Sequence, residues 1–242
     1  MTVTEKLFLP LVTADPGRPL ITHYDDALGS RVELSGATLA NWAAKTANWL
    51  RDEHDVEPGT AVAVRLPAHW QTAGVLLGAW WCGAHVVDDQ AGAAVAFVTP
   101  DTAAADADLV AVVSLDPMGR GLDHEPAGGA IDYLVDVRAH PDDFVALDPV
   151  PGETPALLGS TVDDVVARAA DRAAALGITA GARVMSTLDW SLPDGVLDGL
   201  LAVLAGRASL VQCGNADPAA LPARRSTERT TVDLGGPATG TS

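Results

Sequence analysis

Residues 34–87 read LSGATLANWAAKTANWLRDEHDVEPGTAVAVRLPAHWQTAGVLLGAWWCGAHVV, and the alternation within them decides the fold. Ser35 is a helix N-cap residue. After it Leu39, Trp42, Ala43, Thr46, Trp49 and Leu50 fall on one face, which predicts a helix from about Ala37 to Glu53. Pro58-Gly59 then makes a turn into AVAVRL, a short apolar strand from Ala61 to Leu66. Pro67 suits the first turn of a second helix carrying Trp70, Ala73, Leu77 and Trp81. Gly83 stops that helix and AHVV opens a further strand. Strand, helix and strand in succession, with buried-type apolar runs, is the pattern of a parallel sheet.

Working outward, LITHYDDALGSRVEL (20–34) predicts two strands around a turn at Leu28-Gly29-Ser30. Downstream, strands are predicted at Ala93–Val98 and Asp108–Ser114. The Pro-, Gly- and acid-rich segments 115–130 and 139–156 read as loops, and AIDYLVDV between them as a strand or a short helix. Thr161 with Asp164 has the capping-box pattern for a helix reaching about Leu176, and Gly177 ends it. RVMSTL, a helix over about Asp194–Ala205, ASLVQC and RTTVDL complete the alternation. The expected organisation is one α/β domain over 1–236 with lobes of about 1–147 and 156–236, and a disordered tail at 237–242.

Composition excludes several functions. Of the 242 residues 48% are hydrophobic, so the chain is globular, and the formal net charge of −17 provides no basic stripe for nucleic acid. Arg224, Arg225 and Arg229 form a small basic cluster that reads as solvated surface. Cys82 and Cys213 have no metal-ligand spacing, which suits a reducing compartment. MTVTEKLFLPLV does not have the pattern of a secretion signal. The run Ala73–Val87 is shorter than the roughly 20 residues that span a bilayer, so the expectation is a cytoplasmic chain with no membrane partner.

The stretch 34–87 resembles the opening of the AMP-forming (AMP-binding) acyl-CoA synthetases. These begin with a helix of type ANRLA, then GV-x-PGDRVAV, then a helix closing in KAGAVVVP; the corresponding elements here are Val56–Val64 and Trp81–Val87. ALGITAGARVMSTLDWSLPDGVLDGLLAVLAGRASLVQCG (175–214) is similar to the stretch that follows the family's phosphate loop, and STERTTVDLGG (226–236) to the next strand. The resemblance implies a three-layer α/β/α fold with largely parallel sheets, an acetyl-CoA-synthetase-like N-terminal region. It is closest in form to short bacterial proteins that look like truncated synthetases.

Against that resemblance, DPVPGETPALLGSTVDD (148–164) stands where the family wraps ATP phosphates with a Ser/Thr/Gly-rich loop ending in Pro-Lys-Gly. Such a loop needs backbone N–H groups, hydroxyls and a cation. The matching slot, Gly152-Glu153-Thr154 between Pro151 and Pro155, has one glycine, one hydroxyl and a carboxylate. The chain's two lysines, Lys6 and Lys45, lie far upstream. The family's Tyr-Gly-x-Thr-Glu motif and the lobe carrying the catalytic lysine are also absent from the sequence. The expectation is therefore a phosphate grip that has been lost, no catalytic residue and no cofactor or metal.

Three further positions invite a function. Ser186, Thr187, Trp190 and Ser191 follow a strand where α/β folds open their crevice, so they form a candidate pocket; alternatively Trp190 plugs it. Trp80 and Trp81 point about 100° apart on their helix, so either that helix is covered on a broad face or Trp80 anchors a partner. Gly119-Arg120-Gly121 follows a strand like a dinucleotide fingerprint, but His124 replaces the third glycine and Pro126 blocks the helix, so it reads as a loop. Three functions compete: a non-catalytic binding or interaction module, with an unknown protein partner or a second copy of the chain; half of a split synthetase completed by another chain; and a sensor of a small acyl-CoA or AMP ligand without turnover.

Overall fold

The computed structural model describes residues 1–102 and 106–235. In chain order the elements begin with two short helices, α1 (Val3–Leu7) and α2 (Leu9–Ala14), the hairpin β1 (Pro19–Asp25) and β2 (Ser30–Ser35), and helix α3 (Gly36–His54). There follow β3 (Ala61–Arg65), α4 (Trp70–Trp81), β4 (His85–Val87), β5 (Val95–Val98), β6 (Leu109–Val112), β7 (Ile131–Asp132) and α5 (Tyr133–Asp136). The second half contains β8 (Pro155–Leu157), β9 (Ser160–Thr161), α6 (Val162–Ala175) and β10 (Arg183–Ser186). A continuous helical stretch then runs through α7 (Asp194–Val196), a π turn (Leu197–Leu201) and α8 (Ala202–Ala205). β11 (Ser209–Gly214), α9 (Leu221–Glu228) and β12 (Val232–Leu234) end the described chain.

The local signals are met by hydrogen bonds. The Ser35 side chain accepts from Thr38 N–H at the start of α3, and Thr161 and Asp164 form the reciprocal capping box of α6. AIDYLVDV holds both predicted alternatives in sequence, a two-residue strand and then a helix capped by Asp132. Three helices escaped the sequence reading, among them the short α2. The others are α1, although Thr2 and Glu5 form a capping box, and α9. The predicted tail at 237–242 lies outside the described residues.

Two sheets result. The larger runs β7-β6-β5-β3-β4-β8-β9, the smaller β12-β10-β11-β1-β2. They do not follow the two halves of the sequence: β1 joins β11 in parallel, and β8 joins β4. Side-chain alternation shows where the helices sit. Val62, Val64, Val95 and Phe97 of one sheet and Ile21, Val184 and Leu210 of the other share a single apolar cluster with α3, α4, α6 and α8. Their neighbours Ala63, Ala96 and Val98, and Met185, Val211 and Cys213, belong to two separate small clusters on the outer faces. The main helix layer is therefore enclosed between the sheets, and α9 covers the outer face of the smaller one, where the layers run α/β/α.

Close packing fixes that middle layer. A methyl at Gly78 of α4 would stand 2.3 Å from Thr46 Cβ and 2.7 Å from the Ala43 carbonyl of α3, so the two helices meet backbone to backbone at this glycine. Behind them Tyr133 packs edge to face with Trp49 at 5.7 Å and Phe97 at 5.2 Å, the Trp49 and Phe97 rings are tilted at 5.8 Å, and the Tyr133 hydroxyl lies 2.7 Å from Thr46 Oγ1.

Candidate functional site

The expected phosphate slot lies before a strand and not after one. Gly152-Glu153-Thr154 precedes β8, so it lies at the amino end of a strand that runs parallel to β4, whereas α/β folds open at carboxyl ends. The connection from β8 onward is the two-residue turn Leu158-Gly159 of an antiparallel hairpin with β9. That turn is occupied as well. Leu158 N–H donates to Val86 O at 2.9 Å, and its carbonyl meets His85 Nε2.

The slot residues instead cap α6. Val162 N–H donates to Thr154 O and Asp163 N–H to Gly152 O, both at 3.0 Å. Asp164 N–H is taken by Thr161 Oγ1 at 3.2 Å, and Thr161 N–H by Asp164 Oδ2 at 3.1 Å. These are the donors with which a helix N-terminus would hold an anion, and each already has a protein acceptor. A Cβ at Gly152 would meet Asp163 Oδ2 at 2.1 Å, so a side chain there would push the exposed Asp163 carboxylate from its place beside Lys6. Glu153 points to solvent.

Lys6 corrects the sequence reading that both lysines are remote. Helix α1 docks on α4 through Thr4 Oγ1, which donates to Leu77 O at 2.6 Å, and this brings Lys6 Nζ to 2.5 Å from Asp163 Oδ1. A cation does reach the slot, through the fold and not the sequence, and a carboxylate engages it there. Lys45 is tied elsewhere, to Asp142 at 2.9 Å and to His140 O at 2.5 Å.

The candidate pocket residues lie at the carboxyl end of β10, as their position after a strand predicted. Ser186 is fully buried and its Oγ accepts from Leu188 N–H at 3.1 Å; Thr187 Oγ1 donates to Gly235 O at 2.8 Å; Ser191 is exposed. Trp190 is 3% exposed and packs on the π turn, where a methyl at Gly199 would stand 2.6 Å from its Nε1. The indole fills the space next to this turn. Trp80 is corrected outright as an interface residue. It is 1% exposed, and its Nε1 donates to Ala156 O at 2.8 Å because α4 is enclosed between the sheets. The slot, the β10 residues and Trp80 thus do not converge on one site.

The basic cluster near the C-terminus is also more than solvated surface. Arg224 reaches Asp26 Oδ1 at 2.6 Å with its guanidinium 4.0 Å from the Tyr24 ring centroid, and Arg225 pairs with Asp233 at 2.6 Å; Arg229 remains exposed. Beside them Glu228 is clamped by Tyr24 Oη at 2.6 Å, Arg31 Nε at 3.0 Å and Arg183. Burial works to raise the Glu228 carboxyl, but those donors prevail and hold it down at about 2. This network fastens α9 to the smaller sheet.

At the junction of the two sheets, the His23 and His69 rings meet edge to face at 4.3 Å, 2% and 5% exposed. Burial lowers both, His69 to about 2, with Asp25 near His23 and Asp116 near His69 opposing the shift. His69 Nδ1 caps α4 by accepting from Gln71 N–H at 3.1 Å. Both rings are therefore neutral structural groups. Among the described residues no helix is long and apolar enough to cross a membrane.

No protein-family model matches the chain. A TIGR03089 family protein of Mycobacterium tuberculosis is 48% identical over 239 residues, covering 95% of this chain and 97% of its own length. Among solved structures, an acyl-CoA synthetase of Brucella canis superposes with a TM-score of 0.77 at 15% identity, over 96% of this chain and 47% of its own. A benzoate CoA ligase from Burkholderia xenovorans LB400 gives a TM-score of 0.72 at 16% identity, over 96% and 50%. The chain spans about half the length of these structures, and at such identity they establish the fold alone. The resemblance read from residues 34–87 and 175–214 holds at that level: the fold is acyl-CoA-synthetase-like, and the chain belongs to the TIGR03089 family.

Proposed function

We propose that this chain is a non-catalytic relative of the AMP-forming acyl-CoA synthetases that acts as a binding or interaction module. The observation that carries the reading is the state of the α6 N-terminus. Its donors are consumed by Gly152, Thr154, Thr161 and Asp164, and the one lysine within reach is paired with Asp163. A polyphosphate there would have to displace those acceptors and face the carboxylates of Glu153 and Asp163 before gaining any stabilisation.

The test is calorimetric titration with Mg-ATP, AMP, CoA and a short acyl-CoA, beside an acid-dependent pyrophosphate-exchange assay. The expected result is no exchange and no heat from Mg-ATP. Micromolar Mg-ATP binding with exchange would overturn the proposal. Exchange that appears only with a co-purifying chain would favour the split-enzyme reading, and saturable AMP or acyl-CoA binding without exchange the sensor reading.

A further inference from the structure

A second opening lies apart from the phosphate slot, the β10 residues and Trp80. It is a cleft of about 1080 Å³ at the carboxyl ends of the parallel strands β5 and β6. Its floor is apolar: Val98, Val110, Val112, Leu115, Leu122 and Ala130 line it. The alternation explains why. Val98 and Val112 belong to the outer face of the larger sheet, a face that the middle helix layer does not cover. Among the described residues, the loop over 115–130 curls across this face instead of a helix.

That loop is pinned, so the cleft wall is pre-formed. Asp116 Oδ1 accepts from the N–H groups of Met118 at 2.9 Å and Arg120 at 3.1 Å, and Ser114 Oγ donates to Arg120 O at 2.6 Å. Leu122 N–H donates to Asp132 Oδ2 at 2.6 Å, and Trp70 Nε1 to Pro117 O at 3.2 Å. Gly121 allows this closure, since a Cβ there would sit 2.5 Å from Asp132 Oδ2. A rigid concave wall spares a ligand the cost of ordering it.

The charges on the rim select against anions. Arg120 is bound to Asp116 Oδ2 through both Nε at 3.2 Å and Nη2 at 2.9 Å, so its charge is offset by a carboxylate on the same rim. Asp123 adds a carboxylate, and the whole chain has a formal charge of −17. The remaining polar groups are the exposed His124 side chain and short hydroxyls, among them Ser30 and Thr99.

We propose that this cleft is a binding site for an uncharged, largely apolar small molecule, held by the Val98–Val112 floor and oriented by the hydroxyl rim. The proposal deepens the binding-module reading by naming a ligand class, and it rests on a different part of the fold from the phosphate slot.

The test uses two fluorescent probes on the full chain: uncharged N-phenyl-1-naphthylamine and anionic 8-anilinonaphthalene-1-sulfonate. The expected result is a saturable rise with the uncharged probe. It should weaken about tenfold or more when Val110→Trp or Ala130→Trp fills the floor from half-buried positions. Ala14→Trp, in the small groove beside α2, should leave binding unchanged. Leu122→Ser removes apolar surface without adding bulk, so it tests the same point if a tryptophan variant does not fold. Absence of saturable binding, binding unaffected by these substitutions, or tighter binding of the sulfonate probe or of CoA would each overturn the proposal. Pyrophosphate exchange would sink the non-catalytic reading and leave the cleft intact, whereas an inert cleft would leave that reading standing.

Discussion

Glu228→Gln isolates what holds α9 against the smaller sheet. The carboxylate accepts from Tyr24, Arg31 and Arg183, and glutamine keeps its size while removing its charge. A drop from the ordinary 4.5 to about 2 corresponds to roughly 3 kcal/mol of native-state stabilisation. Arg31 is 44% exposed, and solvent screening brings the expected loss to about 2 kcal/mol at neutral pH. The sign follows from the depressed value: the stabilisation is complete above 4.5, where the unfolded carboxyl is ionised, and is lost as pH falls from there towards 2. Urea denaturation of both proteins at a series of pH values measures it. The stability gap should be constant between pH 7 and 5, and should narrow progressively below about 4.5. Other carboxylates titrate equally in both proteins and cancel. A gap that stays the same down to pH 3 would show that α9 is held by packing around Leu221, and the electrostatic reasoning would fail.

Two further outcomes follow from the middle layer and the sheet junction. Gly78→Ala places a methyl against Thr46 Cβ and the Ala43 carbonyl, and should cost about 1–3 kcal/mol, seen by calorimetry as a Tm lower by roughly 3–10 °C. His23 and His69 are buried neutral with lowered pKa values, so stability should fall as pH drops below the ordinary 6.5, by at most about 1.4 kcal/mol per pH unit for each ring. His69→Asn keeps a capping acceptor and should flatten that slope in urea titrations between pH 6.5 and 5; an unchanged slope would remove His69 as its source.

Legibility in the sequence followed the range of the interactions. α3 and α4 were readable because their apolar spacing, the Ser35 cap and the Pro67 turn signal are local, although the N-cap of α4 proves to be His69. The π turn within 194–205 was not, because nothing in LDGLL departs from an ordinary helical pattern. That the slot precedes a strand was not legible, since β8 and β9 have three and two residues, too short for alternation to register. Lys6 looked remote because its partner lies 157 residues away, and Trp80 was left between burial and a partner anchor because only the closure of both sheets covers α4. The cleft had one visible signal, Gly119-Arg120-Gly121 after a strand, and the irregular composition of 115–130 concealed that the loop is pinned.

The parallel pairing of β1 with β11 has a consequence for how the chain is made. Ile21 finds Leu210 as its register partner, so the β1-β2 hairpin has no parallel neighbour until β11, at Ser209–Gly214, has left the ribosome. Meanwhile β3, β4, β5 and β6 can pair with one another as they emerge. The larger sheet can thus assemble during translation, and α3 and α4 can cover the apolar Ile21 face, while β1 keeps an unsatisfied hydrogen-bonding edge. A pause or break in synthesis before Ser209 would leave that edge permanently open, so partial chains should be strong clients of chaperones that shield exposed strands.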